Sequence, residues 1–182
     1  MRFHLFPTIV LSICATLAGC SPRLTPEQKT LQHQADSLAA AGAIANLDNM
    51  EFIIKAESIQ IDGGRMHHGT DNSVNFVAVH DGSCIIQLAS ARNPRPGANG
   101  MGGITVEGRI RQTAHSTDKK GNRRYEYSVS GAGVSANMVI SLRKDSYSAD
   151  VRIGGNFHGH DCRMYGPVKP YNKAEIVVGR HL

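Results

Sequence analysis

Three potential metal ligands, His158, His160 and Cys162, alternate with other residues near the C-terminus. Because successive side chains of a β-strand point to opposite faces, this spacing places all three on one face of a strand. Imidazole nitrogen and thiolate sulfur are ligands that Zn²⁺ takes in tetrahedral sites. One interpretation of this segment is therefore a metal site, and the sequence offers further donors for it: His67, His68, His80 and Cys84.

A disulfide is the other interpretation, and the cysteine count favours it. The chain has four cysteines. We expect Cys14 to be removed with a leader peptide and Cys20 to carry lipid, which leaves Cys84 and Cys162. Two cysteines that remain in an exported domain are expected to form a bridge. The sequence therefore predicts a Cys84–Cys162 disulfide, with Cys162 pointing inward, and no bound metal or cofactor.

The N-terminus has the architecture of a secretory signal peptide, with a basic start, an apolar run and small residues before Cys20. The apolar run is shorter than the about 20 residues that a membrane span needs. Its ending, Leu17-Ala18-Gly19-Cys20, resembles the bacterial lipobox, in which the cysteine carries a diacylglyceryl group. We therefore predict a lipoprotein signal peptide at 1–19 and lipidation of Cys20.

The residues after Cys20 predict where the protein is held. In the sorting rule of lipoproteins, an aspartate directly after the cysteine favours inner-membrane retention, and here Ser21 occupies that position. The outer membrane is therefore predicted. No acidic cluster of the kind that resembles a surface-export signal follows, which favours the periplasmic face. Export also separates the chain from nucleic acid, so nucleic acid is not an expected partner.

No catalytic constellation is visible in the sequence. Asp145, Asp150 and Asp161 each stand alone at turns or on polar strand faces. The glycine-rich segment Gly97–Gly103 lacks the lysine and hydroxyl residue that complete a phosphate loop. No Gly-x-Ser-x-Gly motif is present. We therefore predict that the chain is not an enzyme.

One helix and a series of strands must position any site. Thr25-Pro26-Glu27-Gln28 has the form of a capping box with proline at the first helical position, which predicts a helix from Pro26 to about Asn46. From Met50 onward the apolar period changes to two, with a bulge or bend expected near Glu57-Ser58. Seven further strands are predicted: Ser73–His80, Ser83–Ala89, Ile104–Thr113, Arg123–Ser130, Val134–Arg143, Tyr147–Ile153 and His158–Tyr165.

Short breaks such as Asp81-Gly82 and Gly121-Asn122 favour consecutive antiparallel strands joined by hairpins. The predicted fold is mainly β, with about eight antiparallel strands in a meander that forms either a sandwich or a small barrel. The predicted organisation is a signal peptide (1–19), a lipid-anchored tether and helix (20–48), an antiparallel β domain (49–168) and a C-terminal tail (169–182).

The layout from Asn49 to about Pro167 resembles a family of lipoproteins from Bacteroides-type bacteria, the domain of unknown function numbered 4251. The resemblance is carried by the first strand Met50–Ile54, by Gly63-Gly64-Arg65, by the Asp81-Gly82 hairpin and by the loop before Ile104–Gly108. It implies an all-β domain behind a lipobox, and it implies no activity.

These patterns lead to one functional expectation. The chain is expected to be a lipid-anchored envelope protein whose β domain binds a partner protein, a small apolar ligand or a glycan. A ligand carrier would enclose a cavity of a few hundred cubic ångströms. A structural or assembly module would have a filled core and an exposed apolar patch. A metal-binding domain that uses His158, His160 and Cys162 is the alternative function.

Overall fold

A computed structural model describes residues 25–61, 63–69, 71–89, 104–132, 135–155 and 161–179. Cys20, His158 and His160 lie outside these ranges. Within these ranges the structure has one α-helix, ten strands and one short 3-10 helix: α1 (Pro26–Asp48), β1 (Phe52–Lys55), β2 (Ser58–Ile61), β3 (His67–His68), β4 (Phe76–His80), β5 (Ser83–Leu88), β6 (Ile104–Thr117), β7 (Arg123–Ser130), β8 (Ser135–Leu142), β9 (Ser148–Gly155), β10 (Cys162–Pro170) and the 3-10 helix Lys173–Glu175.

The capping box predicted at the start of α1 is present. The Gln28 N–H donates to the Thr25 hydroxyl oxygen at 3.2 Å, and the Thr25 N–H donates to the Gln28 side-chain oxygen at 2.9 Å. These two bonds satisfy backbone donors that the first helical turn leaves without partners. The C-terminal half of α1 packs on the sheet, where Ala40, Ala43 and Leu47 are buried.

Eight of the strands form a closed antiparallel barrel. Its order is β1-β4-β5-β6-β7-β8-β9-β10, and β1 also pairs with β10 through the partners Phe52↔Pro170 and Ile54↔Val168. β2 continues from β10, and β3 pairs with β2. The predicted meander of about eight antiparallel strands with one helix is therefore confirmed. The pairing of β1 with β10 decides for a barrel over a sandwich.

The bend predicted near Glu57-Ser58 separates β1 from β2. Phe52, Ile54 and Ala56 point into the barrel core before the bend. Ile59 joins the same core after it, although strict alternation would turn it outward. The bend therefore keeps both apolar sets on the buried side.

Large side chains fill the barrel interior. A single core cluster joins the inward-facing residues of every barrel strand with Ala43 and Leu47 of α1. The largest members are fully buried, among them Tyr125, Tyr127, Phe52, Met138 and Leu142. Eight strands give an interior just wide enough for side chains to fill or for one small ligand. Here the side chains occupy that space.

The predicted Cys84–Cys162 disulfide is not formed. Both residues are buried thiols, as predicted for Cys162, but they lie on different walls of the barrel. Cys84 is on β5 and Cys162 on β10, and β1 and β4 lie between these strands. Three strand spacings of about 4.8 Å place the two strand axes more than about 10 Å apart around the barrel. A disulfide needs Cα atoms within about 7 Å.

The C-terminal segment forms a second layer outside the barrel. Ile53, Phe76 and Ala78 point outward from β1 and β4, yet each is at most 2% exposed because Tyr171 and Ile176 cover them. The Val177 N–H donates to the Ser73 carbonyl oxygen at 3.0 Å, and the Lys55 ammonium lies 2.9 Å from the Glu175 carboxylate. The apolar run of the predicted tail is therefore part of the folded unit.

Candidate functional site

A groove of about 390 Å³ crosses the outer face of β8, β9, β10 and β2. It is open to solvent and has a mixed lining of guanidinium, amide, carboxylate and aliphatic groups. Its residues are Gln60, Gly63, Asn137, Val139, Arg152, Ile153, Gly154, Asp161, Cys162 and Arg163. We refer to it as the polar groove.

Strand alternation and register build this groove. Met138, Ile153 and Met164 point into the core, so their sequence neighbours point outward. The antiparallel register then places outward residues of four strands in one row: Gln60↔Arg163, Arg163↔Arg152 and Arg152↔Val139. Hydrogen-bonding side chains from distant parts of the chain therefore lie side by side.

Two arginines face each other at the centre of the row, held by one carboxylate. The Asp150 carboxylate accepts a hydrogen bond from Nε of Arg163 at 2.7 Å and lies 3.6 Å from Nε of Arg152. Like charges directly opposite in a sheet are unfavourable, so Asp150 offsets a repulsion. Its hydrogen bond and its charge also raise the pKa of the Arg163 guanidinium.

The charges along the groove are balanced. Among the described residues, Arg152 and Arg163 contribute two positive charges, and the lining residue Asp161 and the neighbouring Asp150 contribute two negative charges. The Arg152 side chain is 67% exposed, and its 3.6 Å contact with Asp150 is longer than a hydrogen bond. The groove therefore presents guanidinium and amide donors beside a carboxylate acceptor.

A second surface lies at the β4–β5 hairpin. Asp81 and Gly82 both have positive φ, 49° and 69°, as a two-residue type I′ turn requires, and His80 and Ser83 are therefore direct cross-strand partners. Nδ1 of His80 lies 2.5 Å from the Glu51 carboxylate, and the Asp81 N–H donates to the same carboxylate at 3.0 Å. These two bonds lower the pKa of Glu51.

The His80 ring also stacks on Tyr171, with ring centroids 4.4 Å apart. His80, Ser83 and Tyr171 line a cavity of about 280 Å³ together with Glu107 and Lys173. Among the described residues, no side-chain hydrogen bond joins Ser83 to His80. The stacked ring of His80 holds Tyr171 of the C-terminal segment on the barrel.

The described part of the chain contains only Cys162 of the three predicted metal ligands, so the metal site stays a prediction. Within it, no group of three or more histidine, cysteine or acidic side chains has a geometry that could hold a metal ion. Cys162 is buried on the inner face, whereas His67 and His68 lie on β3 beyond the barrel and His80 contacts Glu51. His158, His160 and Cys20, for which the sequence predicts roles, lie outside the described residues.

Sequence reasoning did not identify the polar groove. Asp150 and Asp161 were noted only as isolated carboxylates, and the arginines were not singled out. The alternation around Arg152 and Arg163 was visible, but the pairing of β9 with β10 and of β10 with β2 was needed to align them.

No helix of the described ranges has the length and apolar character of a membrane span.

The chain was compared with known families and structures. A family model described as a domain of unknown function, DUF4251, matches residues 34–168. The crystal structure of a DUF4251 family protein from Bacteroides eggerthii DSM 20697, at 1.95 Å resolution, is 32% identical to this chain. The alignment covers 76% of this chain and 92% of that chain, with a TM-score of 0.65. No curated protein matches. The matched range contains every lining residue of the polar groove.

Proposed function

This chain belongs to the DUF4251 family, and we propose that it is an exported, lipid-anchored envelope protein whose barrel carries a saccharide-binding groove. The family description states no activity, so the proposal rests on the residues of this chain. The observation that carries it is the row of outward donors Gln60, Arg163 and Arg152, flanked by Asn137 and the acceptor Asp161.

The filled interior supports a surface-binding module over an internal carrier. A carrier needs an enclosed apolar cavity, whereas this barrel buries Tyr125, Tyr127 and Phe52 in its centre. The polar groove instead lies on the outer wall and is accessible without any movement of the barrel. Balanced charge, two amide side chains and two guanidinium groups favour a glycan over an apolar ligand or a strongly charged one.

No feature of the groove supports turnover. Two carboxylates lie in or beside the groove: Asp161 lines it, and Asp150 is bonded to Arg163. A glycosidase needs two carboxyl groups on either side of the scissile bond, one of which has a raised pKa. We therefore propose binding without catalysis.

Membrane attachment is proposed from the lipobox Leu17-Ala18-Gly19-Cys20, and the outer membrane from Ser21. Two or more acyl chains anchor a protein stably, since each buried methylene contributes about 0.8 kcal/mol. Incorporation of an alkyne-labelled palmitate into the full chain, and its loss in Cys20→Ala, is the expected result. Unlabelled native protein in the soluble fraction would contradict the anchor.

The groove is tested with a microarray of bacterial and eukaryotic glycans, probed with the lipidated chain in detergent. We expect saturable binding to a restricted set of glycans and a loss of at least about tenfold in affinity in Arg152→Gln, since one or two hydrogen bonds are removed. Arg143→Gln removes the same charge at the exposed end of β8 and serves as the matched control. Binding to no glycan, or equal loss in both variants, would contradict the proposal.

A further inference from the structure

Helix α1 has two apolar faces, and only one of them meets the barrel. Ala40, Ala43 and Leu47 are the buried residues of the helix. A residue two positions along a helix is rotated by about 200°, so Ala45 lies opposite Ala43. The exposed side of the helix carries a stripe that we call the outer seam: Leu31, Ala35, Leu38, Gly42 and Ala45. At one edge of the seam, Gly42 borders the cleft between α1 and β10.

The outer seam has the spacing of a helix–helix interface. Its residues are separated by four, three, four and three positions, which is the a/d pattern of a coiled coil. Leu31 is 65% exposed and Leu38 is 75% exposed. A Cβ added at Gly42 would meet no atom within 4 Å, so another backbone has room to approach there.

The positions beside the seam are compatible with a copy of the same helix. The flanking residues are Gln32, Gln34, Ala39 and Ala41, and all are uncharged. When two identical seams meet, no like charges therefore face each other. Like charges at these positions would disfavour a symmetric pair.

The first half of α1, from Pro26 to Ala39, contains no buried residue. A helical segment of that length is marginal without packing partners, and a paired helix would supply them.

We propose that α1 pairs through the outer seam with the same seam of a second copy of this chain, as a parallel two-fold dimer. The parallel orientation rests on the proposed anchor, because Cys20 precedes the helix by only five residues and both lipids would lie in one leaflet. The barrels then lie on opposite sides of the helix pair, and each polar groove belongs to one copy.

Cysteine cross-linking in membranes of cells that express the full chain tests this pairing. Leu38→Cys places a thiol on the seam, and Ser37→Cys places one on an exposed position about 100° away around the helix. The native thiols at Cys84 and Cys162 are buried, so they contribute little background. Copper phenanthroline oxidation followed by a non-reducing gel measures the dimer.

We expect Leu38→Cys to form the disulfide-linked dimer at least about tenfold faster than Ser37→Cys, because seam thiols meet within disulfide reach. Equal rates for the two variants would reflect random collision and would overturn the pairing. Cross-links of Leu38→Cys to a chain of another mass would overturn it in favour of a different partner. Absence of any dimer, with Leu38→Cys protected from an aqueous maleimide, would assign the seam to the lipid surface.

Fractionation of the same cells tests the helix pairing and the proposed membrane anchor independently of each other. Protein in the soluble fraction would contradict the anchor, while a seam-specific dimer in that fraction would still support the pairing. As a second measurement, Leu38→Glu in the lipidated chain is expected to reduce the mass measured in detergent from dimer to monomer. Glycan binding reports on the polar groove, which contains no residue of α1.

Discussion

The side chain of Gln87 on β5 bonds to the backbone of Val177 and thereby fastens the C-terminal segment to the outside of the barrel. Nε2 of Gln87 donates to the Val177 carbonyl oxygen at 2.5 Å, and the Gly179 N–H donates to Oε1 of Gln87 at 2.6 Å. The Thr105 hydroxyl donates to the same oxygen at 3.1 Å. Gln87 and Thr105 are both fully buried, so the segment encloses a polar cluster beside an apolar one.

Replacement of Gln87 by alanine is expected to lower the free energy of unfolding by about 3 kcal/mol, because a buried amide and several hydrogen bonds are lost together. Urea denaturation measures the loss, and amide hydrogen exchange at Val177 should accelerate. Gln112→Ala removes an exposed glutamine of β6 and should change stability by less than about 0.5 kcal/mol. A stable Gln87→Ala with a protected Val177 amide would show that the segment is held by its apolar contacts alone.

Gly166 allows β10 to pass close to the end of β1. A Cβ at this position would overlap the Lys55 carbonyl oxygen, which belongs to rigid backbone. Gly166→Ala is therefore expected to destabilise the barrel by at least about 3 kcal/mol, because β1 and β10 must separate where the barrel closes. Thermal unfolding followed by circular dichroism measures this change.

The control is Ser37→Ala, at an exposed position of α1 outside the outer seam. It should raise stability slightly, by up to about 1 kcal/mol, since alanine is the better helix former. If Gly166→Ala unfolded at the native temperature, the close approach of β10 to Lys55 would not constrain the barrel.

Tyr125 links the barrel interior to the end of α1. Its hydroxyl donates to the Asp48 carboxylate at 2.8 Å, and burial together with this bond raises the pKa of Tyr125 to about 12. A raised pKa favours the protonated form in the folded state, so its contribution to stability is complete below about pH 10 and is lost as the pH rises towards 12.

Tyr125→Phe is therefore expected to cost about 1 kcal/mol at neutral pH and to make stability less steeply dependent on pH between 10 and 12. Urea denaturation at several alkaline pH values measures the slope. Tyr147→Phe, at a 41% exposed position, is the control. An unchanged slope in Tyr125→Phe would assign the alkaline loss to other groups.

The two buried cysteines should behave as thiols. Burial raises the pKa of Cys84 well above its ordinary value, so little reactive thiolate is present at neutral pH. Native protein purified without reductant should not react with a thiol reagent within minutes, and unfolded protein should release both thiols. If the unfolded protein released no thiols, the Cys84–Cys162 disulfide predicted from the sequence would be present after all.

Local sequence patterns predicted the structure correctly where interactions between residues close in sequence determine it. The capping box at Thr25 marks the helix start, and the Asp81-Gly82 pair marks a hairpin that fixes His80 opposite Ser83. Residues 134–143 were predicted as a strand, and β8 spans Ser135–Leu142. Ile140 and Val151 belong to the alternating apolar residues of β8 and β9, and both lie in the core. The cysteine count, by contrast, contains no information about the distance between Cys84 and Cys162. It therefore led to the prediction of a disulfide that the barrel does not allow.

The sequence by itself determined the succession of hairpin-linked strands, the buried face of most strands and the helix start, because these depend on neighbours within a few residues. Only the tertiary structure decided that β1 closes on β10, that Arg152 meets Arg163, and that Cys84 and Cys162 lie apart. Alternation states which face of a strand is buried but not which distant strand lies beside it. That choice depends on the cooperative packing of the whole interior, and the candidate site follows from it.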